Sequence, residues 1–194
     1  MLIRRTITAL IATAAIAATA ACGGEQTSPP LTLTDYKGAD WVTDGTVKPP
    51  KTAGRGDRIT YPHTMDGAVM AAVDSQTMLD FAGDSEFGNI TRDYFAVTPG
   101  LREYLDLRTK ITNQGIDESQ IPRIKGFRFT AYDDNTATVE LFYEQADRSI
   151  TGLIRHLVWL SDTWLIQLPA SDSGQVQVKA YDSLPEDLNA LPQT

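Results

Sequence analysis

Between residues 64 and 115 the apolar positions recur at helical spacing, and between residues 124 and 168 they alternate. Met65, Val69, Ala72, Val73 and Leu79 fall near one helix face. Thr64 precedes them as an N-cap and Asp66 sits in the first turn, where the helix dipole favours an acid, so a helix is predicted over 65–82. Phe87, Ile90, Tyr94 and Phe95 predict a second, shorter helix. A third starts at Thr98 as cap with Pro99 at the first helical position, presents Leu101, Tyr104, Leu105, Arg108 and Ile111 on one face, and ends at Gly115.

The period then changes to two. Phe127, Phe129 and Ala131 alternate with Arg128, Thr130 and Tyr132 up to a turn at Asp133-Asp134-Asn135. Ala137, Val139, Leu141 and Tyr143 share a face of the next strand, opposite Thr138, Glu140, Phe142 and Glu144. Leu153, Leu157 and Trp159 oppose Ile154, His156 and Val158 on a third, and Trp164 to Leu168 returns as the fourth after Ser161-Asp162-Thr163. A weaker strand is predicted at 175–180. Helices ahead of an antiparallel meander make an α+β fold, with the N-terminal helices packed on the sheet. Phe127, Phe129, Val139, Leu141, Leu157, Trp159 and Trp164 are its expected core.

Before the domain, residues 23–57 carry six glycines, two Pro-Pro pairs and few aliphatic side chains, which predicts a disordered tether. A flexible chain of that length has an end-to-end distance of about 30–35 Å. Trp41 and Val42 interrupt it as a small apolar cluster able to dock as an extended arm. The tripeptide Arg55-Gly56-Asp57 reads as a solvated turn. The expected organisation is therefore a signal segment over 1–21, a lipidated tether over 22–57, the α+β domain over 58–183 and a C-terminal tail over 184–194.

Charge narrows the function. The chain has 17 basic against 25 acidic residues, a net of −8, with no basic run past residue 5. Phosphate binding needs clustered Lys and Arg, so nucleic acid is not an expected partner. One cysteine excludes an internal disulfide, and with two histidines there is no Cys/His zinc cluster to build. No cofactor or metal is expected.

Residues 1–22 supply an address. Arg4 and Arg5 precede an apolar stretch from Ile7 to Ala18, and Thr19-Ala20-Ala21-Cys22 closes it. Sixteen residues rich in Ala and Thr are too few for a membrane span, so cleavage is expected. The last four resemble the bacterial lipobox, with Thr19 where Leu is usual. The resemblance implies that Cys22 is lipidated by diacylglycerol and further acylated, and becomes the new N-terminus on the extracytoplasmic face of the cell membrane. Two or three acyl chains anchor stably where one is marginal. Cleavage removes two arginines and no acid, leaving 15 basic against 25 acidic residues and a net of −10. The lipid, not charge, is then the membrane contact. The Arg4-Arg5 pair is compatible with either general or twin-arginine export.

Helices followed by a long meander, with Trp159-Leu160-Ser161-Asp162-Thr163-Trp164-Leu165-Ile166 as the closing hairpin, resemble the nuclear transport factor 2-like cone, in which a curved sheet wraps a helix. Tyr61 to Ala72 and Gly126 to Tyr132 are further similar to a family of uncharacterised actinobacterial envelope proteins associated with conjugative and mobile elements. The resemblance implies a cone-like fold, one also found in assembly subunits of secretion and conjugation systems. The same cone houses isomerases and dehydratases.

Candidate chemistry is sparse. His63 precedes the first helix beside Thr64 and Asp66, and His156 lies mid-strand; a capping-turn role and a satisfied strand histidine are their plain readings. Asp80, Tyr94 and Tyr104 are the residues an isomerase-like site would recruit, against plain roles as a helix-surface charge and core aromatics. His63, Tyr94 and His156 stand as candidate cavity contacts. Asp133-Asp134 and Asp117-Glu118 lack calcium-loop spacing. The expected function is that of a non-catalytic lipoprotein binding another envelope protein, with a small-molecule-binding or isomerase-like domain as the alternative. Cys22→Ser should move the protein from the membrane to the soluble or uncleaved fraction, and intact mass should show the diacylglycerol adduct on the parent alone.

Overall fold

The computed structural model describes residues 29–51, 58–110 and 117–192. The signal segment, Cys22, Arg55-Gly56-Asp57 and Gly115 lie outside the described residues. Helix α1 spans Met65–Asp80, and the Thr64 hydroxyl accepts the Gly67 amide at 3.0 Å, as the cap predicts. Twelve of its 16 residues are buried, including the whole run from Gly67 to Ser75. A helix apolar on all sides needs cover on all sides. Met65, expected on the inner face, is instead exposed at the start of the helix.

Part of that cover comes from the segment expected as tether. Strands β1 (Thr32–Tyr36) and β2 (Ala39–Thr43) form an antiparallel hairpin. Its two-residue turn is Lys37-Gly38, with φ of 55° and 86°; positive φ at both positions is the turn geometry that matches strand twist. Trp41 and Val42 are fully buried in the core. The fully buried Asp74 of α1 accepts the Val42 amide at 2.9 Å, and Asp40 of β2 accepts the Ile124 amide at 2.9 Å. The flexible tether expected over 22–57 is therefore corrected across Thr32–Thr43, because Trp41 and Val42 bury more apolar surface than a free arm would expose.

Helix α2 runs Asp84–Tyr94 and α3 runs Pro99–Arg108, the latter capped by the Thr98 hydroxyl on the Leu101 amide at 3.1 Å. Helix α3 stops before Ile111, shorter than expected. The main sheet contains β3 (Arg123–Tyr132), β4 (Thr136–Glu144), β5 (Ile150–Leu160), β6 (Thr163–Gln167), β7 (Val178–Tyr181) and β8 (Asn189–Ala190). Its order is β6-β5-β4-β3-β8, all antiparallel, with β7 also on β5. The fold is α+β, and the sheet does not close into a barrel. The β5–β6 turn is Ser161-Asp162, both at positive φ.

Helix α1 packs on β4, β5 and β6. Val139, Leu141, Leu157 and Trp164 are buried beneath it as expected, whereas Phe127, Phe129 and Trp159 are only half-buried. Two register shifts in β3, between Ile124 and Gly126 and between Phe129 and Ala131, bend that strand.

The expected free tail over 184–194 is also corrected: β8 pairs with β3 and Leu191 is buried. Gly126 makes this approach possible, since a Cβ there would strike the Leu188 side chain. On the same outer face the fully buried Glu140 accepts the Arg128 guanidinium at 2.7 Å and the Tyr181 hydroxyl at 2.5 Å, and Arg128 also holds Asp187. Burial pushes the Glu140 carboxyl up, but the Tyr181 and Arg128 hydrogen bonds and the Lys179 charge outweigh it and hold it below its ordinary value.

Asp74 behaves in the opposite way. Burial lifts its carboxyl well above 3.8, against one hydrogen bond from Val42, and its second oxygen has no partner. A raised folded-state pKa stabilises fully below the unfolded value and is lost as pH rises through the folded one. Denaturation followed as pH rises from the ordinary carboxylate value should show a falling contribution to stability until the folded-state carboxyl has ionised, and Asp74→Asn, which can still accept the Val42 amide, should flatten that slope.

Candidate functional site

Between α1, the hairpin and the inner face of β4 and β5 lies a cavity of about 230 Å³. Helix α1 contributes Gln76, Thr77 and Asp80, the hairpin Ala39 and Asp40, and the sheet Tyr143, Thr151, Leu153 and Arg155; Phe81, Ile121 and Pro122 add apolar surface. Residues four apart on a helix lie on one face. Gln76 and Asp80 do so here, and the Gln76 amide donates to Asp80 Oδ1 at 2.7 Å.

The Gln76 oxygen in turn accepts from Arg155 Nη2 at 2.6 Å, and Arg155 Nη1 donates to the Ile154 carbonyl at 3.2 Å. Arg155 is buried, its Nε has no partner, and no carboxylate forms an ion pair with it among the described residues. Burial lowers its pKa, opposed by Tyr143, Asp80 and Tyr104. A guanidinium stays charged in proteins, so it cannot escape this penalty by losing its proton.

Asp80 stands at the mouth. Part of its surface meets water while helix and sheet atoms crowd the rest; that crowding lifts its carboxyl to about 6, against the lowering effects of the Gln76 hydrogen bond and the Arg155 charge. Burial also raises the Tyr143 hydroxyl pKa, keeping it a neutral donor. The arrangement is a chain of acid, amide and guanidinium that crosses from α1 to β5, in a cavity otherwise lined largely by apolar side chains.

The residues singled out from the sequence are not brought together. The His63 ring stacks on Trp159 at 4.0 Å and 13°, and Nε2 meets the Asp134 carbonyl oxygen, so its partner is a backbone oxygen and not Asp66. His156 sits on the outer face of the sheet, away from this cavity, with Nδ1 3.1 Å from the Thr138 hydroxyl; burial, then the Arg155 charge, lowers its pKa. It borders a separate, polar groove with Thr138 and Gln167. Tyr94 is a core residue whose hydroxyl accepts the Ile59 amide at 3.1 Å. Asp80, read as a helix-surface charge, does line the cavity, and its charge reaches Tyr104.

Arg155, Gln76 and Tyr143 escaped the sequence reading as site residues. The signal for Arg155 was a lone cation between Leu153 and Leu157 on a strand face that is otherwise apolar. Among the described residues no group of three or more His, Cys, Asp or Glu side chains could hold a metal, and no helix is long and apolar enough to cross a membrane.

A buried charge without a counter-ion opposes folding. Arg155→Met should therefore raise stability, by about 1–3 kcal/mol in denaturant titrations, the reverse of what removing a structural arginine does.

No curated protein and no solved structure matches the chain. A family model does, over residues 8–186, and so takes in the hairpin, all three helices and the sheet through β7. The chain belongs to the family described as Domain of unknown function (DUF8175).

Proposed function

We propose that the chain is a non-catalytic binding module, tethered by lipid at Cys22 to the extracytoplasmic face of the cell membrane, and that its working site is the cavity above β4 and β5. The observation that carries this reading is Arg155, which faces the cavity buried and without a carboxylate partner. Binding sites retain such groups at the expense of stability, because a ligand supplies the missing contact. The order of helices and meander supports a nuclear transport factor 2-like architecture, in which this space is the interior of the cone. The tether and address rest on the sequence from Thr19 to Cys22.

The end of the molecule around the His63–Trp159 stack supports contact with an envelope protein. Met65, Tyr132 and Leu160 are exposed there, next to aromatic rings linked from Phe127 through Phe129, Tyr132 and Trp164 to Trp159. The isomerase-like alternative keeps one specific support: a carboxyl poised at about 6 beside an apolar cavity is suited to move protons near neutral pH.

A nuclear magnetic resonance screen of small organic molecules against the full chain should shift the signals of Leu153, Tyr143 and the Gln76 amide. Hits confined to His63, Trp159 and Leu160 would replace the cavity by the protein-contact reading, and consumption of a hit abolished by Asp80→Asn would favour catalysis.

A further inference from the structure

Arg155 offers five N–H donors. Two are used, on the Ile154 carbonyl and the Gln76 amide oxygen, and Nε has no protein acceptor. Nε is closed off from the surface, so one N–H on each of Nη1 and Nη2 remains on the rigid, planar group that lines the cavity. A fork of parallel donors fits the two oxygens of a carboxylate better than any single acceptor.

The other charges set the ligand's valence. Asp40 at the rim is already neutralised, by Arg123 at 3.0 Å and by the Ile124 amide. Asp80 at the mouth, its carboxyl lifted to about 6 by burial, is mostly ionised near neutral pH. A ligand anion thus meets one fixed cation and one carboxylate, and the carboxylate repels a doubly charged phosphate more than a singly charged group. Leu153 lies beside the guanidinium on the same strand face, Phe81, Ile121 and Pro122 add further apolar surface, and about 230 Å³ holds roughly ten non-hydrogen atoms at ~20–30 Å³ each.

From this geometry we infer that the cavity is a monocarboxylate site, in which Arg155 binds the carboxylate as a fork and Phe81, Ile121 and Leu153 pack on a compact apolar body. The inference rests on the cavity being the working site. The carboxylate belongs either to a free organic acid or to the end of a peptide, and the same donors serve both. Gln76 positions the guanidinium from α1 while its amide engages Asp80, so a ligand entering at the mouth passes the acid and meets the cation.

Calorimetric titration of the full chain in detergent with benzoate and with the isosteric, uncharged benzamide tests this, with N-acetylphenylalanine and its amide as the peptide-end arm. We expect at least one carboxylate to bind about tenfold or more tighter than its amide, and Arg155→Met to remove that difference. Benzoate alone would indicate a free acid; N-acetylphenylalanine alone, a peptide terminus. An amide that binds as well as its acid would overturn the carboxylate assignment and leave the cavity reading standing. Failure of all four probes to bind at ~10 mM would overturn both. Should Arg155→Met not fold, the acid–amide comparison on the unaltered protein decides, and Arg155→Lys, which keeps the charge without the fork, should show a weakened preference.

Discussion

A stretch of helix with no polar face is the constraint from which the rest of the structure follows. The run Gly67-Ala68-Val69-Met70-Ala71-Ala72-Val73 leaves the N-terminal half of α1 no side on which to meet water. The sheet covers one flank through Val139, Leu141, Leu157, Trp164 and Ile166, and α2 and the β1–β2 hairpin cover others. Trp41 and Val42 close the hairpin onto the helix, and Asp74 ties the two by accepting a backbone amide that would otherwise be buried without a partner. The hairpin is thus a structural requirement of α1, and in covering the helix it becomes a wall of the cavity.

Two buried ionisable groups, Asp74 and Arg155, solve the same problem differently. A carboxyl moved out of water can take up a proton and become neutral, and the raised pKa of Asp74 is that solution. Arginine has no such route. Its charge persists at any pH at which the protein folds, so a guanidinium without a carboxylate in direct contact keeps a field in the cavity that Asp80 answers only from a distance. This difference in chemistry, more than depth of burial, makes Arg155 the residue on which the proposed binding role turns.

Much of the fold was legible. Caps at Thr64 and Thr98, Pro99 at the first turn, and the turns at Asp133 and Ser161 each carry a local mechanism, and local mechanisms survive in a single sequence. What was missed depends on distant partners. Lys37-Gly38 between alternating residues is a hairpin signal, yet the glycines and prolines around it read as tether, because nothing local says that Trp41 has a helix to land on. The C-terminal strand is hidden for the same reason: Asn189-Ala190 has no strand character of its own and exists because Gly126 leaves room for it. At the site, Asp80 was noticed as an acid on a helix, but Gln76 and Arg155 gain meaning only when β5 is laid against α1. His63 and His156 drew attention by residue type, and their ring nitrogens meet the Asp134 carbonyl oxygen and the Thr138 hydroxyl, partners that only the folded sheet brings near.

The outer face of the sheet shows that an unpaired buried charge is not simply how this fold is made. Glu140, like Arg155, has little surface in contact with water, yet it receives a tyrosine hydroxyl, an arginine at 2.7 Å and a lysine at 3.7 Å, and Gly152 gives Tyr181 space to reach it. There the chain brings β7 and Asp187 in from distant sequence to complete a network. On the inner face, Arg155 has an acid close enough to affect its pKa, and the chain inserts the neutral Gln76 between them. Direct contact between Asp80 and Arg155 would have consumed the fork; the intervening amide fixes the guanidinium and leaves its remaining donors open. A fold that completes one buried network and spaces the other with a neutral amide treats the two charges as different in kind: the first is a clamp on the sheet, and the second is the group that the proposed monocarboxylate would engage.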